Sequence, residues 1–414
     1  MKQRSPLLPI FLIVLVDVLG FTIVIPLLGL YAERFGASPL VATTIVSVYA
    51  VCSLISTPII GRLSDHHGRK RLLIISQAGT CLGFIMLGLS EALWMVFAGR
   101  ILDGLTAGNL SIAQAYVSDH TTPENRSKAF GVIGIAFGIG FMFGPAIGGW
   151  LGAYGMHLPF LAAACLSAFS IFCTYTLLDE TKPPQADGEV GPGGRRPSAF
   201  DLEVYKQYFR RPKLAGLYVQ FFLFTFAFSA FTSGFALFAE RRFLWTAKET
   251  GYLFAFSGFL GIILQGGLLG RLVKKFGEAK LVIAGFIAAA IAYLVLGFAQ
   301  TLAMILVAAT ISSFGNGVLR PVLTSRITQA VGRHEQGVAI GISSSLSSLA
   351  MTMAPPVGGA MIDGMWLLAW ACVPATVAVL GLLAALVQRD APSTPAAPAD
   401  PPSNLPVAKL HSDS

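Results

Sequence analysis

An all-α polytopic membrane protein, twelve transmembrane helices in two pseudo-symmetric six-helix bundles, is the fold class this sequence predicts. Three observations predict it. Apolar residues greatly outnumber charged ones, apolar runs of spanning length follow one another along the chain, and segments of the first half recur about 210 residues later.

The 414 residues are 54% apolar and 12% charged, about half the charged share of a soluble domain. Mean hydropathy is +0.70. A water-soluble enzyme, a nucleic-acid-binding domain and a disordered scaffold all fit this composition poorly. The formal charge of +8 comes from basic residues in short loops between apolar runs, not from a patch that could bind nucleic acid. Cys52, Cys81, Cys165, Cys173 and Cys372 lie inside apolar runs, are odd in number and form no CxxC pair. They read as small packing residues, not as a disulfide framework or a zinc site. The first apolar run has no small-residue cleavage site after it, so a span is expected there and not a cleaved signal.

About 20 apolar residues cross the hydrocarbon core. Such runs fall at 7–31, 41–61, 72–90, 93–118, 127–149 and 155–178, then at 214–238, 250–270, 279–299, 301–325, 335–361 and 366–387. If the chain starts in the cytoplasm, the loops on that side hold Arg62, Arg69, Lys70, Arg71, Arg126, Lys128, Arg271, Lys274, Lys275, Lys280, Arg326 and Arg333. The opposite loops carry Arg34, Arg241, Arg242 and Lys248. The imbalance places both termini in the cytoplasm of a multi-pass cell-membrane protein. Residues 1–178 and 214–388 are then the two six-helix bundles. The Pro- and Gly-rich stretch 179–213 joins them, with a short amphipathic helix expected near Asp201–Arg211. The Pro-, Ala- and Ser-rich segment 389–414 has little to bury and is expected to be disordered.

The halves repeat one another. Tyr31-Ala-Glu-Arg-Phe35 recurs as Phe238-Ala-Glu-Arg-Arg242, and the loop Gly61–Gly68 recurs as Gly270–Gly277. Gly144-Pro-Ala-Ile-Gly-Gly149 recurs as Ala354-Pro-Pro-Val-Gly-Gly359. Two related bundles about an axis along the membrane normal would enclose a site between them, and rocking would expose it to each side in turn. That architecture favours a carrier over a channel or a membrane enzyme.

Three motifs carry a family resemblance. Gly61-x-Leu-x-Asp65-x-x-Gly68-Arg69-Lys70-Arg71 resembles the signature loop of the major facilitator superfamily. Arg100-x-x-Asp103-Gly104 is similar to its second motif, and Gly140-x-x-x-Gly144-Pro145-x-x-Gly148-Gly149 to the motif of its proton-driven exporters. The likeness spans residues 7 to 387 and points to the drug:proton antiporter branch, the tetracycline-resistance-type efflux carriers. It implies that Gly61, Asp65, Gly68 and Arg69 form a conformational lock, with Asp119 and Arg126 as its partners. Those carriers also place acids in their third and ninth spans. This chain has none in 72–90 or 279–299, so tetracycline itself is not implied.

Asp17, Arg100, Asp103 and Arg320 are the charged residues expected deep in the hydrocarbon, where each unpaired charge would cost roughly 2.5–3.5 kcal/mol. The spacing lets Asp17, Arg100 and Asp103 converge. One reading is a proton switch, in which a carboxylate alternates between facing Arg100 and a desolvated site; the other is a static buried salt bridge. Arg320 could meet an anionic substrate group or snorkel to the interface. Asn109, Gln114, Gln220, Gln265 and Asn316 could orient a substrate in a cavity. Phe224, Phe228 and Phe231 belong to an aromatic stripe on the seventh span that reads equally as a greasy cavity wall or as a packing face. Gly140, Gly144, Pro145, Gly148 and Gly149, echoed by Pro355 and Gly358, form a small-residue seam expected to be the rocking interface.

No nucleophile–histidine–acid set, phosphate loop or metal cluster is apparent in the sequence. No enzyme activity, metal or cofactor is therefore expected, and the energy source is expected to be an ion gradient. The predicted function is proton-coupled efflux of a lipophilic small molecule by a monomer, with a proton-linked uptake symporter for a sugar or organic acid as the alternative.

Overall fold

A computed structural model describes residues 7–120, 123–180, 202–332 and 335–390. Most of the expected linker, the segment 391–414 and the side chain of Arg126 lie outside the described residues.

The first six spans are α1 (Leu7–Glu33), α2 (Pro39–His67), α3 (Arg69–Gly88), α4 with α5 (Leu93–Leu105 and Asn109–His120), α6 (Pro123–Tyr154) and α7 (Leu158–Leu177). A short α8 (Leu202–Phe209) occupies the place expected for an amphipathic helix. Then come α9 (Pro212–Phe243), α10 (Ala247–Ile263), a π turn (Leu264–Leu268) running into α11 (Leu269–Phe276), α12 (Glu278–Gly297), α13 (Leu302–Gln329), α14 (Gln336–Asp363) and α15 (Leu367–Asp390). Among the described residues eleven of the spans, with α10, its π turn and α11 taken as one, are long and apolar enough to cross a membrane.

The fourth span is the twelfth, and here the continuous helix expected over 93–118 is corrected. It breaks at Thr106–Gly108, leaving two helices of 13 and 12 residues. A break at membrane depth must find partners for its freed backbone groups. Hydroxyls of neighbouring helices supply them. Ser76 donates to the Thr106 carbonyl and accepts from the Gly108 N–H at 2.9 Å. Thr57 donates to the Ala107 carbonyl at 2.8 Å, and Ser56 to that of Gly104 at 2.6 Å.

The eighth span holds a second irregularity that the sequence did not announce. Its π turn, Leu-Gln-Gly-Gly-Leu, widens the helix where Gly266 and Gly267 face open space. Such turns interrupt α-helices mostly at functional positions. The loop repeat is preserved in backbone shape: Gly68 and Gly277 sit at φ of 96° and 77°, which a side chain would strain.

The six amino-terminal and six carboxy-terminal spans meet along two long seams, α6 against α10 and α2 against α14. Contacts across the seams concentrate at one end of the molecule. There Arg241 on α9 pairs with Glu33 on α1 at 2.5 Å. A Cβ placed on Gly29 would lie 3.2 Å from Leu237, and one on Gly359 would strike the Thr43 hydroxyl. At the other, basic end the ion pairs among the described residues stay within one half. Arg69 binds Asp65 and Asp119, and Arg211 binds Glu335. Gly61, Gly270, Gly337 and Gly341 have open space where a Cβ would go. The contacts between the halves thus seal the end away from the basic loops, and these glycines at the basic end have no close neighbour.

Candidate functional site: a polar interior and a cleft between the halves

The amino-terminal half carries a polar nest around α1. Arg100 and Asp103, one helical turn apart on α4, form an ion pair and are 2% and 4% exposed. They can be buried because α3 and α4 meet backbone to backbone. A Cβ on Gly83 would lie 2.8 Å from the Gly99 carbonyl and 3.0 Å from Asp103 Cβ. The guanidinium lies over the rings of Tyr49 and Phe84, 5.1 and 5.5 Å from their centroids, and its Nε has no hydrogen-bond partner.

Asp17 joins the same nest but not the ion pair. The structure gives Arg100 to Asp103, and among the described residues Asp17 has no basic partner within ion-pairing distance. It lies beside Ser170, Gln77 and Asn109, with Asp103 near enough to repel it. Gln77, fully buried, donates to Ser170 at 2.8 Å and accepts from Thr174 at 2.9 Å. Asn109 opens α5 just past the break, and its Oδ1 has no partner. Asp17 itself is half-buried. The arrangement is an acid held by neutral dipoles beside an already neutralised Arg–Asp pair. Such an acid can exchange a proton without breaking an ion pair.

The loop between α2 and α3 is organised around Arg69, which donates to Ser64 at 2.7 Å and pairs with Asp65 at 2.6 Å and Asp119 at 3.0 Å. Asp65 and Asp119 thus share one arginine. Gly61 makes no close approach to another helix.

The small-residue seam divides in two. Gly140, Gly144 and Gly148 pack on α1 in the same half, against Val18, Thr22 and Ile23. Pro145 and Gly149 face across to the other half: the Pro145 carbonyl and Gly149 Cα both crowd Gly251 on α10. On α14, Gly358 faces its own half at Trp370, while Gly359 meets α2. Pro355 is buried on the same helix. So three of the expected interface glycines serve the inside of one bundle, because a helix this rich in glycine has two close-packing faces.

The expected cavity residues also divide. Gln220 is no cavity residue: fully buried, it ties α9 to α15 by donating to Gln388 at 2.5 Å. Phe224 is 5% exposed and belongs to the core of the carboxy-terminal half. Phe228 and Phe231 are half-buried, and Phe231 lines a cavity of about 20 Å³ with Phe235, Phe254, Tyr293 and Ser312, room for about one water. Asn316 donates to Ser312 at 3.0 Å while its Oδ1 lacks a partner. Gln114 on α5 is half-buried. Gln265 on the π turn and Arg320 on α13 are exposed.

Comparison with known proteins agrees with this geometry. Residues 10–277 and 245–412 each match the Major Facilitator Superfamily. The chain is 30% identical to the tetracycline resistance protein, class C, of Escherichia coli over 86% of its length and 89% of that protein's. It is 28% identical to multidrug resistance protein 2 of Bacillus subtilis (strain 168), covering 86% and 90%. In fold it resembles a bacterial homologue of the human lysosomal transporter Spinster in an inward-facing, occupied conformation. That likeness has TM-score 0.75 at 13% identity and covers 93% of this chain and 97% of the other. With matches over both halves, a broken span beside a polar interior, and two six-helix sets meeting along two seams, this chain belongs to the Major Facilitator Superfamily.

Proposed function

We propose that the protein exports a lipophilic small molecule or drug in exchange for protons, by alternating access. The observation that carries this reading is Asp17, an acid at membrane depth without a basic partner among the described residues, in a chain related over most of its length to tetracycline and multidrug resistance proteins. An uptake symporter is not favoured by those relatives.

The basic end faces the cytoplasm of the cell membrane, both termini lie there, and a single copy suffices because one chain supplies both halves. In the state described here, substrate enters the cleft from the cytoplasm. Asp17 is the proton carrier, and the buried Arg100–Asp103 pair holds its surroundings electrically neutral. Opening the sealed end requires the Glu33–Arg241 pair to part. The Arg69 cluster keeps the ends of α2, α3 and α5 together as the amino-terminal half moves. Each proton driven by about 100 mV supplies about 2.3 kcal/mol.

The test is substrate-driven proton release in everted vesicles, with a dye and antibiotic panel to find the substrate. Asp17→Asn abolishes proton release on substrate addition while leaving substrate binding in place. Unchanged proton release in that variant would refute the assignment.

A further inference from the structure

Along α13, Ser312, Asn316 and Arg320 follow one another at four-residue spacing and so share a face. The upper end of this stripe opens on the aromatic-lined cavity. There the Tyr293 hydroxyl, on a residue only 1% exposed, sits beside Ser312 and Asn316 yet completes no hydrogen bond. The Asn316 Oδ1 is likewise buried and unpartnered. Unmade hydrogen bonds at buried groups are costly and call for a partner. Phe231, half-buried at the rim, has its centroid 5.4 Å from that of Tyr293, 6.2 Å from Phe254 and 6.4 Å from Trp370. The space is about 20 Å³ as it stands, so a ring system enters only if Phe231 turns aside.

The lower end of the stripe is Arg320, about 12 Å away at 1.5 Å per residue and about 13 Å short of the basic end of α13. It is exposed, and among the described residues no acid pairs with it. Gly317, one turn away on α13, packs against Leu264 of the π turn and lies near the Gln265 amide. Arg320, one turn along on the same face, therefore lies on the side of α13 that meets the π turn.

We propose that the substrate class is an amphipathic aromatic anion. Its ring system enters the Phe231–Phe254–Tyr293 cavity, and its carboxylate or sulfonate lies on Arg320, where the guanidinium offers a bidentate grip. This rests on the export reading above and specifies its cargo. It carries a consequence for energetics. Exchange of one inward proton for one outward anion moves two charges in the same sense, so membrane potential alone drives it. Exchange of a proton for a monovalent cation is electroneutral and responds to the pH gradient alone.

The experiment uses everted vesicles holding the full chain and two dyes with one xanthene frame, anionic fluorescein and cationic rhodamine 6G, measured over vesicles without the protein. Fluorescein accumulates under a lumen-positive potassium diffusion potential with no pH gradient. Arg320→Gln lowers its initial rate about tenfold or more, Arg320→Lys restores part of it, and rhodamine 6G transport changes less than about twofold. Tyr293→Phe, which removes a hydroxyl already lacking a partner, raises KM for fluorescein without weakening the fold. Accumulation of rhodamine 6G but not fluorescein, or an equal loss of both in Arg320→Gln, overturns the anion assignment and leaves proton-driven export standing. Accumulation of neither dye under a potential or a pH gradient overturns the export reading and this one with it.

Discussion

Substituting Gly149 separates the seam between the halves from the packing inside one of them. An alanine Cβ there would lie 2.6 Å from the Ala247 carbonyl oxygen and 2.8 Å from Gly251 Cα, where ordinary contact starts at 3.4 Å. Backbone cannot swing aside as a side-chain tip can, so α6 and α10 must part by roughly 0.7 Å. Overpacking of this kind costs about 1–3 kcal/mol. The cost falls on the state in which this end is sealed and is relieved where the halves separate there. A penalty of about 2 kcal/mol shifts the balance between the two states about 30-fold. Gly144→Ala is the control. Its Cβ would meet Thr22 on α1, in the same half, and penalise both states alike. The assay is alkylation of a cysteine placed at Ala32, fully buried beneath the Glu33–Arg241 pair, by an impermeant maleimide in an otherwise cysteine-free chain. Gly149→Ala speeds labelling, whereas Gly144→Ala lowers the melting temperature without speeding it. Equal labelling in both variants would refute the division of the seam.

The break in the fourth span offers a second test. Ser76→Ala strands the Thr106 carbonyl and the Gly108 N–H together, at about 2–4 kcal/mol for two buried groups. Melting in detergent falls by several degrees; a change within about 1 °C of the parent would mean other groups satisfy the break. The tether between Arg211 and Glu335 makes a third test, through pH. The hydrogen bonds from Arg211 hold the Glu335 carboxyl below the usual carboxylate range. A depressed acid stabilises the fold above its unfolded pKa of about 4.3 and loses that contribution as pH falls through the folded value. Both side chains are over a third exposed, 40% and 34%, so screening limits the pair to about 0.5–1 kcal/mol. The melting difference between the parent and Glu335→Gln is present at pH 7 and closes as pH drops from about 5 to about 3. A difference that persists there argues that packing, not charge, holds the joint.

The sequence by itself settled the class of molecule. Twelve apolar runs, the basic loops on one side and the repeated motifs dictate a membrane bundle, since burial of apolar surface and exclusion of charge act on composition and spacing alone. It also picked out Asp17, Arg100 and Asp103, because an intramembrane charge is expensive wherever the chain takes it. Partnership was another matter. Which acid pairs with Arg100 depends on packing: Gly83 and Gly99 let α3 and α4 meet backbone to backbone and bury Arg100 with Asp103 on its own helix, while Asp17 stands on another. Gln220 looked like Gln265 in sequence, yet one ties α9 to α15 while the other lines a π turn, since helix rotation decides what an amide meets. The break after Thr106 left a faint sign in Gly108-Asn109, but it is stable only because Ser56, Thr57 and Ser76 arrive from other helices. Long-range contacts of that kind are written in no single segment, and here they decide which polar groups remain free to bind and release a proton or a substrate.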